Sequence, residues 1–420
     1  MKKIYNILLL ALAAAFTSCT GLVDDIFDTS SANRAAETME ANREVLMSAP
    51  NGWRLTMKAD PNDEFGIGAY NLFIKFNADS TVSVSSDKEK ADSVITSHFK
   101  LYQSEGINLS FDEHNPFIHY FSDPVNSDGF GQAGKGLKGD FEFFILKATK
   151  DEVILKGKKS SVKMTMVPVE AGKAWKDEIE YIQTVSSQMC KFKTYDIAFK
   201  DTTVRISRSY RSFTYTDKEG NKFIYPFNVT KNGIEFLEPA TFSGRKITGF
   251  TYKNGVTTYE ANDGTGTTIS PFVSNYESLI GGEWYMAKSL MSEKLSAAFD
   301  NCVALSEGEG EVIQYAALYK ANNTQLCLQI QSGNYISKFN FNFTKIDEDN
   351  LTLKIASITD NNASWYYNNG YSPFIDLISG TYNITPDNQI SPTLLTLTKK
   401  EDPTVSFTIS AAAIMTPAEK

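Results

Sequence analysis

Four aromatic side chains fall within seven residues in Trp365-Tyr366-Tyr367-Asn368-Asn369-Gly370-Tyr371. Rings at strict alternation read as a core strand, whereas the same rings beside Asn-Gly read as a turn-rich surface stretch. A flat ring offers an apolar face to a sugar ring, and asparagine amides hydrogen-bond hydroxyl groups. Trp365, Tyr366, Tyr367 and Tyr371 are therefore the candidate ligand-contacting residues. The competing role for them is a satellite core beneath a long loop.

Other chemistry-bearing patterns point less far. Gly129-Phe130-Gly131-Gln132-Ala133-Gly134-Lys135-Gly136 matches G-x-G-x-x-G and falls one residue short of a P-loop. Both phosphate cradles need a strand feeding the loop and a helix taking the anion at its N-terminus. Pro124 precedes the run, Leu137-Lys138-Gly139 follows it, and Gly136 stands where a P-loop has Ser or Thr. A glycine-rich connection between strands is the better reading. His114 and His119, on a strand, point to opposite faces and lack further zinc ligands. Arg205, Arg208 and Arg211 are divided by the same alternation and read as a solvated hairpin. With Cys19 set aside, Cys190, Cys302 and Cys327 are too few and odd in number for a disulfide framework. Buried thiols are expected, with a Cys302–Cys327 bridge as the alternative. Neither H-E-x-x-H nor G-x-S-x-G occurs. The sequence names no catalytic residue, no metal ligands and no cofactor, although paired carboxylates can assemble from distant strands.

Cys19 carries the most specific signal. Lys2 and Lys3 precede an apolar run from Ile4 to Phe16. That run is shorter than the roughly 20 residues needed to span a bilayer and suits an export leader. Thr17 and Ser18 place small residues directly before Cys19, which resembles a bacterial lipobox, where the thiol takes a diacylglycerol and becomes the new N-terminus. Residues 1–18 are read as a signal peptide and 19–29 as a lipidated tether, with Cys19 as the membrane attachment. Asp24 and Asp25 resemble the acidic surface-export signal of Bacteroidetes lipoproteins. The 420 residues carry 41 Lys+Arg against 50 Asp+Glu, a net charge of −9. That balance excludes the electrostatic footprint of a nucleic-acid binder, while 42% hydrophobic residues suffice for real cores.

The elements that must position these residues are mostly strands. Residues 30–47 read as a helix, with Ala32, Ala35, Ala36, Met39 and Leu46 near one face and Pro50-Asn51-Gly52 as its stop. From Trp53 the period switches to two, and short strands follow at 70–76, 81–85, 99–102, 107–111, 117–121, 140–147, 152–156 and 162–169. A second helix over about 174–190 sets Trp175, Ile179, Ile182 and Met189 on one stripe. Strands resume at 195–199, 203–216 and 222–229, with hairpin turns at Asn232-Gly233 and Asn254-Gly255. Gly106-Ile107-Asn108-Leu109 and Gly233-Ile234-Glu235-Phe236 echo one another, hinting at a repeated meander. Asn262 to Thr267 is the most linker-like segment. After it Gly281-Gly282-Glu283-Trp284 resembles the Gly-x-Trp opening of lipocalin-like domains, and a short helix over 289–299 and further strands follow. The expected fold is mainly β: tandem antiparallel meanders, lipocalin-like or sandwich domains, with one helix near the N-terminus and one between meanders. Residues 30–272 form an N-terminal β region of two meander units, and 276–420 a C-terminal lipocalin-like β domain.

Asp25-Ile26-Phe27-Asp28, Ser30-Ser31-Ala32-Asn33-Arg34, Pro50-Asn51-Gly52-Trp53, Phe121-Ser122-Asp123-Pro124, Gly139-Asp140-Phe141-Glu142-Phe143 and Leu155-Lys156-Gly157-Lys158-Lys159 occur in that order. Together with the lipobox they resemble a Bacteroidetes lipoprotein family catalogued as domain of unknown function 4302, over about residues 19–168. Such proteins tend to be encoded near transporter and surface-lipoprotein pairs like those of the starch-utilisation system. The resemblance implies an outer-membrane, lipid-anchored, surface-exposed accessory in nutrient uptake, beside an outer-membrane transporter, and it implies no reaction. The expected function is non-catalytic binding of a glycan or peptide. The alternatives are a lipocalin-like carrier of an apolar small molecule and a secreted hydrolase.

Overall fold

A computed structural model describes residues 30–125 and 128–418. The leader of residues 1–18, the tether of 19–29 and Cys19 lie outside the described residues. The chain is mainly β, and the period-two reading holds where it was clearest. In β1 (Trp53–Lys58), Trp53, Leu55 and Met57 are buried and Arg54, Thr56 and Lys58 are half-exposed.

Three sets of strands follow one another. The first runs from β1 to β9 (Lys163–Pro168) as one nine-stranded antiparallel sheet in which β1 pairs with both β2 (Ala69–Phe76) and β9. Its edge strands, β4 (Ile95–His98) and β5 (Lys100–Gln103), are separated in the chain by Phe99 alone, so the two edges run into one another through the backbone. Phe99 is buried, with its ring edge-on to Phe76 at 4.9 Å. The second set, β10 (Thr194–Ala198) to β17 (Thr268–Pro271), is a closed barrel, and so is the third, β18 (Glu283–Met291) to β25 (Ser406–Ser410). The barrels take the place of the sandwich alternative.

A helix precedes each set: α1 (Ser31–Ser48), α3 (Trp175–Met189) and α4 (Asn275–Gly281). In each case an aromatic residue of the first strand reaches back to a carbonyl of that helix. Trp53 Nε1 donates to Leu46 O at 2.7 Å, Tyr195 Oη to Met189 O at 2.7 Å, and Trp284 Nε1 to Leu279 O at 3.0 Å. The echoed glycines also correspond. Gly106 has φ 141° and opens β6 (Ile107–Ser110), while Gly233 has φ 136° and begins β14 (Gly233–Phe242). If β4 and β5 count as one strand bent at Phe99, each glycine introduces the fifth strand of its set.

The chain divides into two compact units. One comprises the described residues up to Ser187 with Ser209–Phe213 and Ile224–Pro239; the other comprises Gln188–Arg208, Thr214–Phe223 and the described residues from Ala240 onward. The first unit has a core built on Trp53, Ile74, Phe111, Phe143 and Leu155. In the second, Phe299 of α5 (Glu293–Gly308) and Phe374 and Ile378 of α7 (Ser372–Ile378) share a core with the strand residues Phe339, Phe341 and Tyr382. Burial of that kind is the dominant favourable term in folding.

Local chemistry overrules the strand reading in several places. Residues expected as a strand over 117–121 begin with a one-turn helix, α2 (Pro116–His119). Asn115 Oδ1 caps it by accepting from Phe117 N at 3.0 Å, and proline fits the first helical position. Residues 203–216 form a hairpin, β11 (Thr203–Ser209) and β12 (Ser212–Thr216), which turns at Tyr210 with φ 47°. The small polar residues from Asn262 to Thr267 make the turn between β16 (Tyr259–Ala261) and β17. The helix expected over 289–299 starts and ends later, as α5, because β18 continues to Met291.

Candidate functional site

The aromatic segment is helical, not turn-rich. Asp360 caps α6 (Asn361–Tyr366) by accepting from Ala363 N at 2.7 Å, and the chain continues through a wide π-helical turn, Tyr367–Tyr371, into α7. Asn369 helps to widen that turn, because its Nδ2 donates to Trp365 O at 2.7 Å and so satisfies a helical carbonyl from the side. At Gly370 a Cβ would come within 3.2 Å of the Leu305 side chain, so the missing side chain lets the turn lie close to α5.

This backbone sends the four rings to different places. Tyr371 is fully buried, with its hydroxyl 2.9 Å from Ser306 Oγ. Tyr366 is buried beside it at 4.9 Å between ring centroids and donates its hydroxyl to the Glu311 carboxylate. Tyr367 is half-buried and donates to Asp376 Oδ1 at 2.8 Å. Trp365 alone presents its ring, 44% exposed and standing edge-on to Tyr366 at 88°.

Beside Trp365 lies a cleft of about 240 Å³, lined by Glu309, Glu311, Tyr335, Asn362, Trp365 and Tyr366. Three elements meet there. Beyond α5, bonds from Glu309 N to Leu305 O (3.1 Å) and Glu311 N to Ser306 O (2.8 Å) fold the acidic segment back on the helix end. Tyr335 opens β21 (Tyr335–Lys345) after the hairpin turn from β20 (Gln325–Ser332), and Asn362 Nδ2 ties α6 to Ile336 O at 3.0 Å. The hairpin glycine matters: Gly333 has φ 53°, and a Cβ there would stand 3.0 Å from Glu311 Cγ. Val312 and Ile336, next in sequence to lining residues, are exposed too.

The electrostatics suit holding a ligand. Burial, and then the hydrogen bond to Glu311, push the Tyr366 hydroxyl well above its ordinary value. It therefore stays protonated and donates to Glu311. Neither Glu309 nor Glu311 takes part in an ion pair among the described residues. No group of three or more His, Cys, Asp or Glu among the described residues is placed to hold a metal ion. Glu309, Glu311, Tyr335 and Asn362 escaped sequence reasoning. The run Glu307-Gly308-Glu309-Gly310-Glu311 was the available signal, since acids alternating with glycine after an amphipathic helix cannot continue that helix cheaply.

The remaining sequence candidates are accounted for by structure. The glycine loop closes on itself through a bridge between Gln132 and Gly136 and leads on to β7 (Glu142–Ala148), not to a helix. The helical turn of α2 brings His114 and His119 within 5.0 Å instead of on opposite faces, and His119 stacks on Phe141 at 4.9 Å. Arg211 is not solvated. Within the first unit it bonds Asp87 Oδ2 at 3.0 Å and Ala69 O at 2.8 Å, over the ring of Tyr70, while Asn71 Nδ2 donates to the same Asp87 oxygen at 2.6 Å. Arg205 pairs with Asp196 through two nitrogens at 2.9 and 3.1 Å. Cys302 and Cys327 are buried thiols with no bond between them. No helix among the described residues is long and apolar enough to cross a membrane.

Three of the segments that carry the family resemblance converge in the first unit. Asp140 is buried and accepts from Lys159 N at 2.6 Å and Ser160 N at 3.1 Å. A Cβ at Gly157 would clash with Asp140, and one at Gly139 with Phe121 O. Ser122, Phe141, Glu142, Lys158 and Lys159 line a cavity of about 330 Å³ beside this knot. The two glycines and Asp140 are thus explained by backbone approach and loop capping.

No curated protein matches the chain. Among solved structures, the DNA polymerase III subunit beta from Pseudomonas aeruginosa is 9% identical over 91% of this chain and 98% of that one, with a TM-score of 0.11. The DNA polymerase sliding clamp from Bacillus subtilis is 10% identical over 91% and 97%, also with a TM-score of 0.11. Scores so low carry no argument about fold. The family model described as Domain of unknown function (DUF4302) matches residues 23–254, a stretch that takes in the Asp140 knot and ends before the Trp365 cleft. Because that match spans more than half of the 420 residues, the chain belongs to the DUF4302 family.

Proposed function

We propose that this protein is a lipid-anchored, non-catalytic binding protein of the outer cell surface, which captures a nutrient glycan or peptide and works beside an outer-membrane transporter. The anchor rests on the leader and on Cys19. The observation that carries the binding role is the cleft at Trp365, where an exposed indole and the Tyr335 phenol border two carboxylates that take part in no ion pair among the described residues. Tyr366 supports the same role, since a hydroxyl held protonated against Glu311 fixes an acceptor in place before a ligand arrives.

Calorimetry of the mature lipoprotein in mild detergent, against panels of oligosaccharides and peptides, tests the binding role. A saturable heat that disappears in Trp365→Ala supports it; a ligand bound equally well by that variant removes the cleft from the account. For the anchor, Cys19→Ser is expected to shift the protein from the membrane fraction to the soluble fraction. Retention in the membrane by the serine variant would rule out Cys19 as the attachment.

A further inference from the structure

We propose that the cleft at Trp365 takes a guanidinium group, presented as an arginine side chain of a peptide. The inference rests on the reading above that this cleft binds a ligand, and it names the chemistry of that ligand.

The lining is unbalanced in hydrogen-bonding character. Glu309 and Glu311 contribute acceptors only; Glu311 accepts from the Tyr366 hydroxyl, and neither carboxylate takes part in an ion pair among the described residues. One amide hydrogen of Asn362 already goes to Ile336 O. The Tyr335 hydroxyl, the Trp365 indole N–H and the other Asn362 amide hydrogen are neutral donors, so the only charged groups of the lining are the two carboxylate acceptors. A guanidinium has five donors and no acceptor, which complements that lining.

Shape agrees with charge. A guanidinium is planar, stacks on aromatic faces and pairs with a carboxylate through two parallel bonds. Here an indole and a phenol, 44% and 53% exposed, border the same cleft as the carboxylates. A cation over a ring is further favoured by the ring's quadrupole.

The test compares a short Gly-Arg-Gly peptide with its citrulline counterpart, which keeps the shape and loses the charge. Titration into the mature lipoprotein at low salt is expected to show saturable binding of the arginine peptide, and at least tenfold weaker binding of the citrulline peptide. Glu311→Gln and Trp365→Ala should each weaken the arginine peptide about tenfold or more. Trp365→Ala leaves the net charge unchanged, so its effect separates the cleft from general attraction to an acidic protein. Tyr335→Ala, at an exposed position, serves as a second variant if either of the others unfolds. Equal binding of the two peptides overturns the proposal. So does preferential binding of a neutral or amino-sugar oligosaccharide, and in that case, if Trp365→Ala abolishes its heat, the cleft remains a binding site. Arginine-peptide binding unaffected by all three variants overturns the proposal and the cleft together.

Discussion

Tyr366 and Trp365 are adjacent in sequence and opposite in role: one ring is buried as a support, the other is displayed. Density of aromatics in the sequence was enough to find the segment. It was not enough to sort the rings, because burial of Tyr366 and Tyr371 depends on Glu311 and Ser306, some sixty residues away and brought near by α5. Gly333 shows how tightly that arrangement is set. Gly333→Ala is expected to cost roughly 1–3 kcal/mol for a side chain at positive φ, and to displace Glu311 and weaken ligand binding more than an equal loss of stability elsewhere would. Calorimetry and denaturant unfolding on the one variant check both. At the buried Asp87–Arg211 pair, Asp87→Ala should cost about 3–5 kcal/mol, since it leaves Arg211 without its carboxylate. Replacing Asp87 and Arg211 together by apolar residues of similar volume should recover much of that loss in urea unfolding.

Elements were legible in proportion to their regularity. Alternation located β1, and helical apolar stripes located α1 and α3, to within a residue or two, whereas α2 was hidden because Asn115-Pro116 imposes a cap and a first helical turn on a stretch that otherwise looks extended. The correspondence between the three strand sets was visible only as the Gly106 and Gly233 echo. Its structural counterpart, the aromatic bonded back to the preceding helix, uses tryptophan twice and tyrosine once, so no common residue marks it. Tyr195→Phe keeps the ring and removes the two bonds of its hydroxyl, the one donated to Met189 O and the one accepted from Phe192 N at 3.1 Å. The expected loss is about 1–3 kcal/mol for a buried carbonyl left without its donor, read by urea unfolding, with hydrogen exchange rising most in α3. Burial raises the Tyr195 hydroxyl to about 12, so this bond keeps its proton throughout the neutral range.

At the scale of the molecule, acid is the informative perturbation. Hydrogen bonds from the Thr393 hydroxyl and Leu394 N hold Asp387 down to about 2, and bonds from Lys294 and then Thr404 do the same for Asp402. Each carboxylate gives up its proton more readily folded than unfolded. Their contribution is therefore complete above the ordinary value of 3.8 and is lost as the pH falls toward 2. The thermal midpoint of Asp387→Asn should lie below wild type at pH 6 and converge on it near pH 2; a constant gap would remove Asp387 from the account. Cys302 and Cys327 should resist alkylation until the chain unfolds, as buried thiols do. The two closed barrels have a further consequence. A β-sheet with an open edge can recruit another chain by backbone hydrogen bonding alone, whatever that chain's sequence, and proteins crowded on a surface are exposed to that hazard. In both barrels the first strand is paired with the last, so among the described residues neither barrel has a terminal strand with an open edge to extend. Anything that recognises them must do so through side chains, and so must read sequence.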